Sequence, residues 1–141
     1  MKQSRSFSIF LAFFTSAMML LYWGLVTAGV TPLEELIPGY KAWALCYPLA
    51  DGWIAICAFL TGFFLLKKSE KSILYGLLCG SSLIFLGITA TTYLLYTGIL
   101  SMFTAGEIIF KLGMRVFHFA AGTYFIIDSW KYRYLYFAEK K

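Results

Sequence analysis

The chain has 141 residues, of which 60% are hydrophobic and only 13% are charged. Soluble domains carry about 25% charged residues, so this composition excludes an ordinary soluble globular protein and indicates an integral membrane protein. The net charge of +5 is gathered at the ends of the apolar runs, which is typical of membrane topology, so no nucleic-acid partner is expected.

Apolar runs with few charges predict four transmembrane spans, which together use almost the whole chain as a single domain, 1–141. Short connections place successive spans side by side in opposite directions. The predicted fold is therefore an all-α, integral membrane, antiparallel four-helix transmembrane bundle. The first run resembles a signal peptide, but its apolar core exceeds the usual length of about 7–15 residues, so it is predicted to be a span. The predicted spans are 7–30, 42–66, 72–97 and 106–130.

The second span contains a single charge, Asp51, in the apolar stretch between Lys41 and Lys67. A carboxylate at this depth costs roughly 2.5–3.5 kcal/mol, so it is normally paired or functional. The helix face that carries Asp51 is otherwise built from small residues, which is typical of close helix packing. Asp51 is therefore predicted to point into the bundle. The small residues of this face are Ala44, Pro48, Ala55, Ala58 and Gly62.

The third and fourth spans each have one distinctive face. The third has a strip of mostly small residues, which predicts close packing on a neighbouring helix. The fourth has a polar stripe at helical spacing, which predicts that this stripe also points inward. The strip of the third span is Gly76, Gly80, Leu83, Gly87 and Ala90, and the stripe of the fourth is Lys111, Arg115, His118, Gly122 and Ser129.

These faces predict a polar layer in the outer half of the bundle. Asp51 and Arg115 each lie about nine residues from the outer end of their spans, which is roughly 13 Å deep for both. Equal depth predicts that the two side chains pair inside the bundle. The layer is expected to enclose a ligand-binding cavity that is reached from the outer side. Its predicted members are Tyr22, Asp51, Thr91, Thr92, Arg115 and His118.

The basic residues that flank the spans are distributed unequally between the two sides. Threading four spans places Lys41 and Lys111 on one side, together with Glu34, Glu35 and Glu107. The positive-inside rule places the more basic side, and with it both termini, in the cytoplasm of a bacterial-type inner membrane. The basic residues of that side are Lys2, Arg5, Lys67, Lys68, Lys71, Lys131, Arg133, Lys140 and Lys141.

A buried polar layer is compatible with three classes of function. Binding or translocation of a small solute, ion or amphiphile is preferred, because Asp51, Arg115 and His118 can hold a polar or zwitterionic group or relay a proton. The first alternative is an accessory or assembly subunit, in which Asp51 and Arg115 fix helix register. The second is an intramembrane enzyme with a lipophilic substrate, although nucleophile motifs and a spaced carboxylate pair are missing.

The sequence identifies no cofactor. A metal site is poorly supported, because the chain has one histidine and its cysteines, Cys46, Cys57 and Cys79, are not clustered. The expected partners are the lipid bilayer, a small molecule or ion, and either a second copy or a larger membrane complex. A chain this small would need to dimerise to form a transport path.

The first half of the chain also resembles a family of small bacterial four-helix membrane proteins of the YvaD type. The family has a Tyr-Trp pair in the first span and a Pro-Leu-Asp motif at the second. Here the acid is displaced by one residue, since Ala50 is inserted before it. The resemblance implies the four-span topology and a role for Asp51; it implies nothing about Arg115 or His118. It is carried by Tyr22-Trp23, Thr27, Pro32, Glu34 or Glu35, Tyr40, Trp43, Pro48-Leu49, Asp51, Thr61-Gly62 and Leu66-Lys67-Lys68.

Overall fold

The computed structural model describes residues 2–31 and 33–138, with side chains at 5–31 and 33–134. Pro32, Lys140 and Lys141 therefore lie outside the described residues, as does the side chain of Lys2. The described residues form helices and no strand. In chain order these are α1 (Lys2–Thr27), α2 (Tyr40–Ala44), α3 (Tyr47–Leu66), α4 (Lys71–Thr97), the short 3₁₀ helix η1 (Ile99–Met102) and α5 (Ala105–Ala138).

Three segments of the described chain are long and apolar enough to cross a membrane. They are α1 from Arg5 onward, the α2–α3 segment Tyr40–Leu66, and α4. The predicted fourth span coincides with the first part of α5, which is helical but more polar. Lys111, Arg115 and His118 lower its hydropathy, because all three lie within that stretch.

Glycines in the left-handed conformation end two of these helices. After α1, Gly29 has a φ of 73°, and the N–H groups of Gly29 and Val30 return to the carbonyls of Val26 and Leu25. This arrangement is a Schellman cap, which satisfies carbonyls that the last helical turn leaves unpaired. Gly98, with a φ of 63°, follows α4 in the same conformation. The first helix therefore ends at Thr27, before the predicted limit of 30.

The predicted second span, 42–66, is not one continuous helix. It is divided by a turn at Leu45 and Cys46 into α2 and α3. Pro48 lies in the first turn of α3. Proline has no N–H to donate to a residue four positions earlier, so it favours the start of a helix over its interior. The break makes α2 a separate element at the N-terminal end of α3.

The fifth helix continues to Ala138, beyond the predicted limit of 130. The apolar run ends near Asp128, but no glycine or proline follows Gly122 to stop the helix. Helix formation and membrane crossing are separate properties, and only the second requires an apolar sequence. At this end the guanidinium of Arg133 stacks 3.0 Å from the centre of the Trp130 ring, as expected for an interfacial belt.

The long helices pack in sequence order, α1 on α3, α3 on α4 and α4 on α5. Near one end, Arg5 of α1 donates a hydrogen bond to the carbonyl of Leu65 at the end of α3. Near the other end, Trp23 of α1 contacts Asp51 at the start of α3. The first helix is also tied to α5, because the Ser8 hydroxyl donates to Asp128 Oδ2 at 2.6 Å.

The glycine strip of α4 packs directly on α5. A Cβ added to Gly80 would lie 2.7 Å from the carbonyl oxygen of Gly122, and one added to Gly122 would lie 2.8 Å from that of Gly80. Gly76 faces Ser129, and Gly87 faces His118 and Phe119. The predicted strip is therefore a packing face, and its partner is the polar stripe of the fifth helix.

Replacing Gly80 by alanine is expected to destabilise the protein, because the new methyl group would overlap the backbone of α5. Overpacking of this kind costs about 1–3 kcal/mol. The measurement is thermal unfolding in maltoside micelles, followed by circular dichroism. Gly113→Ala is the matched control, since a Cβ there would meet nothing within 4 Å. A Gly80→Ala protein that melts with wild type would contradict the close approach.

Candidate functional site

Asp51 lies inside the helix assembly, with 6% of its surface exposed. Its Oδ2 accepts a hydrogen bond of 2.6 Å from the indole N–H of Trp23. The other oxygen, Oδ1, is buried with no hydrogen-bond partner among the described residues. The inward orientation of Asp51 agrees with its position on the small-residue face of α3. Trp23 holds one carboxylate oxygen, so the other is available to a further donor.

A cavity of about 100 Å³ adjoins Asp51. At roughly 30 Å³ per water molecule, this volume is enough for about three waters or a small polar group. All five α-helices contribute to its wall. The lining residues are Met19, Tyr22, Trp23, Leu33, Tyr40, Trp43, Ala44, Tyr47, Asp51, Leu86, Ala90, Phe110, Lys111, Met114, Arg115 and His118.

The α5 side of the cavity is cationic. Lys111, Arg115 and His118 all line it, because they lie one helical turn apart on the inward stripe. Arg115 interacts electrostatically with Asp51 and with the tyrosines that line the cavity. Its Nε is buried and has no hydrogen-bond partner among the described residues. His118 is 2% exposed, and neither of its ring nitrogens has a hydrogen-bond partner among the described residues.

The predicted pairing of Asp51 with Arg115 stays a prediction, because the two groups interact electrostatically but make no direct contact. No salt bridge joins the two side chains in the described part of the chain, and the carboxylate is instead bound to the Trp23 indole. Both groups line the same cavity. Equal depth in two helices placed them at one level, but depth alone does not fix the separation of two helices across a bundle.

Four of the predicted site residues come together in the cavity, and two do not. Tyr22, Asp51, Arg115 and His118 line it, whereas Thr91 and Thr92 do not. On α4 the cavity face is formed by Leu86 and Ala90, and residues one and two positions further turn away by about 100° each. Thr92 is exposed, and Thr91 is partly buried with an unpartnered hydroxyl.

Sequence reasoning missed the aromatic wall of the cavity, which is formed by α2 and the start of α3. Tyr40 and Trp43 of α2 line the cavity, and Trp43 stacks on Tyr93 of α4 with ring centres 3.7 Å apart. Tyr47, at the start of α3, completes this wall. A signal was available, because several aromatic residues precede Asp51 at short intervals. It could be used only once Pro48 was recognised as the start of a new helix.

Glu107 caps the start of α5, and Lys111, one turn later, lines the cavity. Glu107 accepts hydrogen bonds from the N–H and hydroxyl of Thr104, both at 2.8 Å, and interacts electrostatically with Lys111. This is a capping box at the start of α5. Lys111 donates to the Tyr40 hydroxyl at 3.4 Å and lies 4.2 Å from the centre of the Phe103 ring.

No protein family, curated protein or solved structure matches the chain. The resemblance to proteins of the YvaD type is therefore neither supported nor contradicted. The chemistry of the cavity is the basis on which its function can be inferred.

The contact between Trp23 and Asp51 can be measured by a double-mutant cycle with Trp23→Phe and Asp51→Leu. A buried hydrogen bond to a charged group contributes roughly 1.5–3 kcal/mol, so the single changes are expected to be non-additive by an amount in that range. The measurement is the free energy of unfolding in detergent. Trp130→Phe combined with Asp51→Leu is the control, since Trp130 lies at the other end of the molecule. Additive effects in both cycles would rule out the contact.

Proposed function

We propose that this chain is an integral membrane protein, an antiparallel bundle of four spans in a bacterial-type inner membrane, with α5 as its fourth span. The distribution of residues around α5 supports this. Its polar residues His118 and Ser129 are buried, whereas Ile109 and Val116 are 73% and 68% exposed. A helix whose apolar side faces outward and whose polar side faces other helices suits a lipid environment, although its mean composition is less apolar.

The proposed orientation has both termini in the cytoplasm. In support of it, the contacts of Arg5 with Leu65 and of Ser8 with Asp128 gather the basic ends of α1, α3 and α5 on one side. The cavity lies toward the opposite end of these helices. Under the positive-inside rule it belongs to the outer half of the bundle.

Labelling of introduced cysteines tests this orientation. Leu36→Cys, in the loop before α2, is expected to react with an impermeant maleimide added to intact cells. Ser69→Cys, between α3 and α4, is expected to react only after the membrane is opened. Both are placed in a Cys46→Ser background, because Cys46 is exposed whereas Cys57 and Cys79 are buried. The reverse pattern would refute the topology.

We further propose that the cavity binds a small solute or head group with an anionic part and a cationic or hydrogen-bond-donating part. The observation that carries this proposal is a set of buried polar atoms around one cavity that have no hydrogen-bond partner among the described residues: Asp51 Oδ1, Arg115 Nε and both nitrogens of His118. An unpartnered buried polar atom costs about 1–3 kcal/mol. A polar occupant of the cavity would satisfy these atoms together.

The charges of the cavity indicate the chemistry of its occupant. Lys111 and Arg115 supply two cations against the single carboxylate of Asp51. Arginine and lysine favour phosphate or carboxylate oxygens, and the free oxygen of Asp51 favours an ammonium or another donor. A zwitterionic group with an anionic excess matches this arrangement. Translocation of such a group would be a further step that uses the same site.

The separation of the charged groups favours binding over the alternative of a pure assembly device. A pair that fixes helix register would be expected to bring Asp51 and Arg115 into direct contact and to close over them. The described structure leaves them apart on a shared cavity. No specific observation supports the enzyme alternative, because the described residues that line the cavity include no nucleophile paired with a base.

Phosphoethanolamine is the first probe for this site, with binding measured by calorimetry on the protein in maltoside micelles. Arg115→Gln is expected to weaken binding about tenfold to a hundredfold, because it removes charge-assisted hydrogen bonds. Arg133→Gln is the matched control, since Arg133 stacks on Trp130 far from the cavity. Native mass spectrometry should also detect a small molecule retained by wild type and lost from Arg115→Gln. Equal binding by the two variants would remove Arg115 from the site.

A further inference from the structure

A second, larger groove lies beside the cavity, on the outer surface between α3 and α4. Its volume is about 530 Å³, against about 100 Å³ for the cavity. Ala50 and Trp53 of α3 and Ser81 and Phe85 of α4 are among its lining residues. Trp53 is 49% exposed and Phe85 68% exposed, so the groove opens outward from the helices.

Most of the surface of the groove is apolar, although side chains with hydroxyl groups also line it. The Ser81 hydroxyl donates to the carbonyl of Leu78 at 3.1 Å. The Thr89 hydroxyl donates to the carbonyls of Phe85 and Leu86 at 3.0 and 3.1 Å. The Ser81 and Thr89 donors are therefore used within their own helix, and most of the remaining groove surface is hydrocarbon and aromatic, with Ser82 and Tyr47 also in the lining. Such a surface suits an alkyl chain.

The groove and the cavity share a wall. Tyr47 and Leu86 line both of them, so these two side chains stand between the polar space and the lipid-facing surface. A purely polar solute would use only the cavity, and an ordinary lipid chain or a partner helix would use only the groove. A molecule with a small charged head and one alkyl chain would use both.

We infer that the ligand is a single-chain zwitterionic amphiphile, with its phosphate and ammonium groups in the cavity and its alkyl chain in the groove. The inference rests on the proposed binding function and names the class of ligand for that same site. The phosphate faces Lys111 and Arg115. The ammonium faces the free oxygen of Asp51, beside the aromatic rings of Tyr22 and Tyr47, which favour cations. The chain passes Tyr47 and Leu86 to reach the groove.

The test compares two probes with the same head group, phosphoethanolamine and its dodecyl ester. The quantity measured is the ratio of their affinities for each protein in maltoside micelles. Ala50→Phe places a bulky ring in the groove and is expected to lower this ratio about tenfold, which corresponds to roughly two methylene groups displaced from contact. Ser81→Phe, which fills the groove from α4, gives an independent second variant with the same expectation.

Ala120→Phe is the matched control. Ala120 is an exposed residue of α5 that lines neither the groove nor the cavity. Because the Ala120→Phe substitution leaves both the groove and the partitioning of the dodecyl chain into the micelle unchanged, the ratio of affinities should equal that of wild type. If Ala50→Phe and Ser81→Phe also keep the wild-type ratio, the alkyl chain does not occupy the groove and the inference is wrong.

The outcomes for the two proposals differ. Suppose that Ala50→Phe and Ser81→Phe keep the wild-type ratio of affinities while Arg115→Gln binds phosphoethanolamine more weakly. This result would overturn the inference of an amphiphilic ligand and leave the proposed polar site standing. Absence of binding by both probes overturns the polar site as well. A ratio of affinities that falls in Ala50→Phe and Ser81→Phe but not in Ala120→Phe supports the amphiphilic ligand. Weaker binding of both probes by Arg115→Gln supports the head-group site.

Discussion

The close approach of α4 and α5 at Gly80 and Gly122 is the constraint on which the rest of the site depends. Each glycine leaves no room for a side chain, since a Cβ on either one would lie within 2.8 Å of the other's carbonyl oxygen. Contact at this distance fixes the rotation of α5 about its axis. Once Gly122 faces α4, helical periodicity turns Arg115 and His118 inward as well. The same contact therefore packs the helices and orients the charged groups.

In the proposed lipid environment, the rotation of α5 determines what surrounds its charged and polar groups. Outside the assembly, Arg115 and His118 would meet hydrocarbon, where polar groups are expensive. Inside it they meet Asp51 and the aromatic wall of Tyr40, Trp43 and other rings. The hydrogen-bonding groups of the cavity are only partly satisfied. Trp23 donates to one oxygen of Asp51, whereas the His118 imidazole has no hydrogen-bond partner among the described residues. Stability and binding thus make opposing demands on these residues.

The sequence was sufficient to predict the helices and the inward faces, because both follow from local periodicity. The glycine strip of α4 and the stripe of α5 are examples, and Asp51 is buried as its small-residue face indicates. Contacts that depend on the distance between helices were not predictable in this way. The hydrogen bond to Asp51 comes from Trp23, and Thr91 and Thr92 do not line the cavity. The turn before Pro48 could have been read locally, and it determines where Tyr40 and Trp43 lie.

The polar cavity and the mostly apolar groove adjoin each other, and the proposed function depends on this arrangement. A device that only holds helices together has no need for unpartnered donors, since each weakens the assembly. A site for a freely soluble molecule has no need for an apolar groove that shares Tyr47 and Leu86 with the polar space. One amphiphilic ligand accounts for both features, because its head supplies the missing hydrogen bonds and its chain covers the groove. Under the proposed function, a direct ion pair between Asp51 and Arg115 would use the groups that the head group needs.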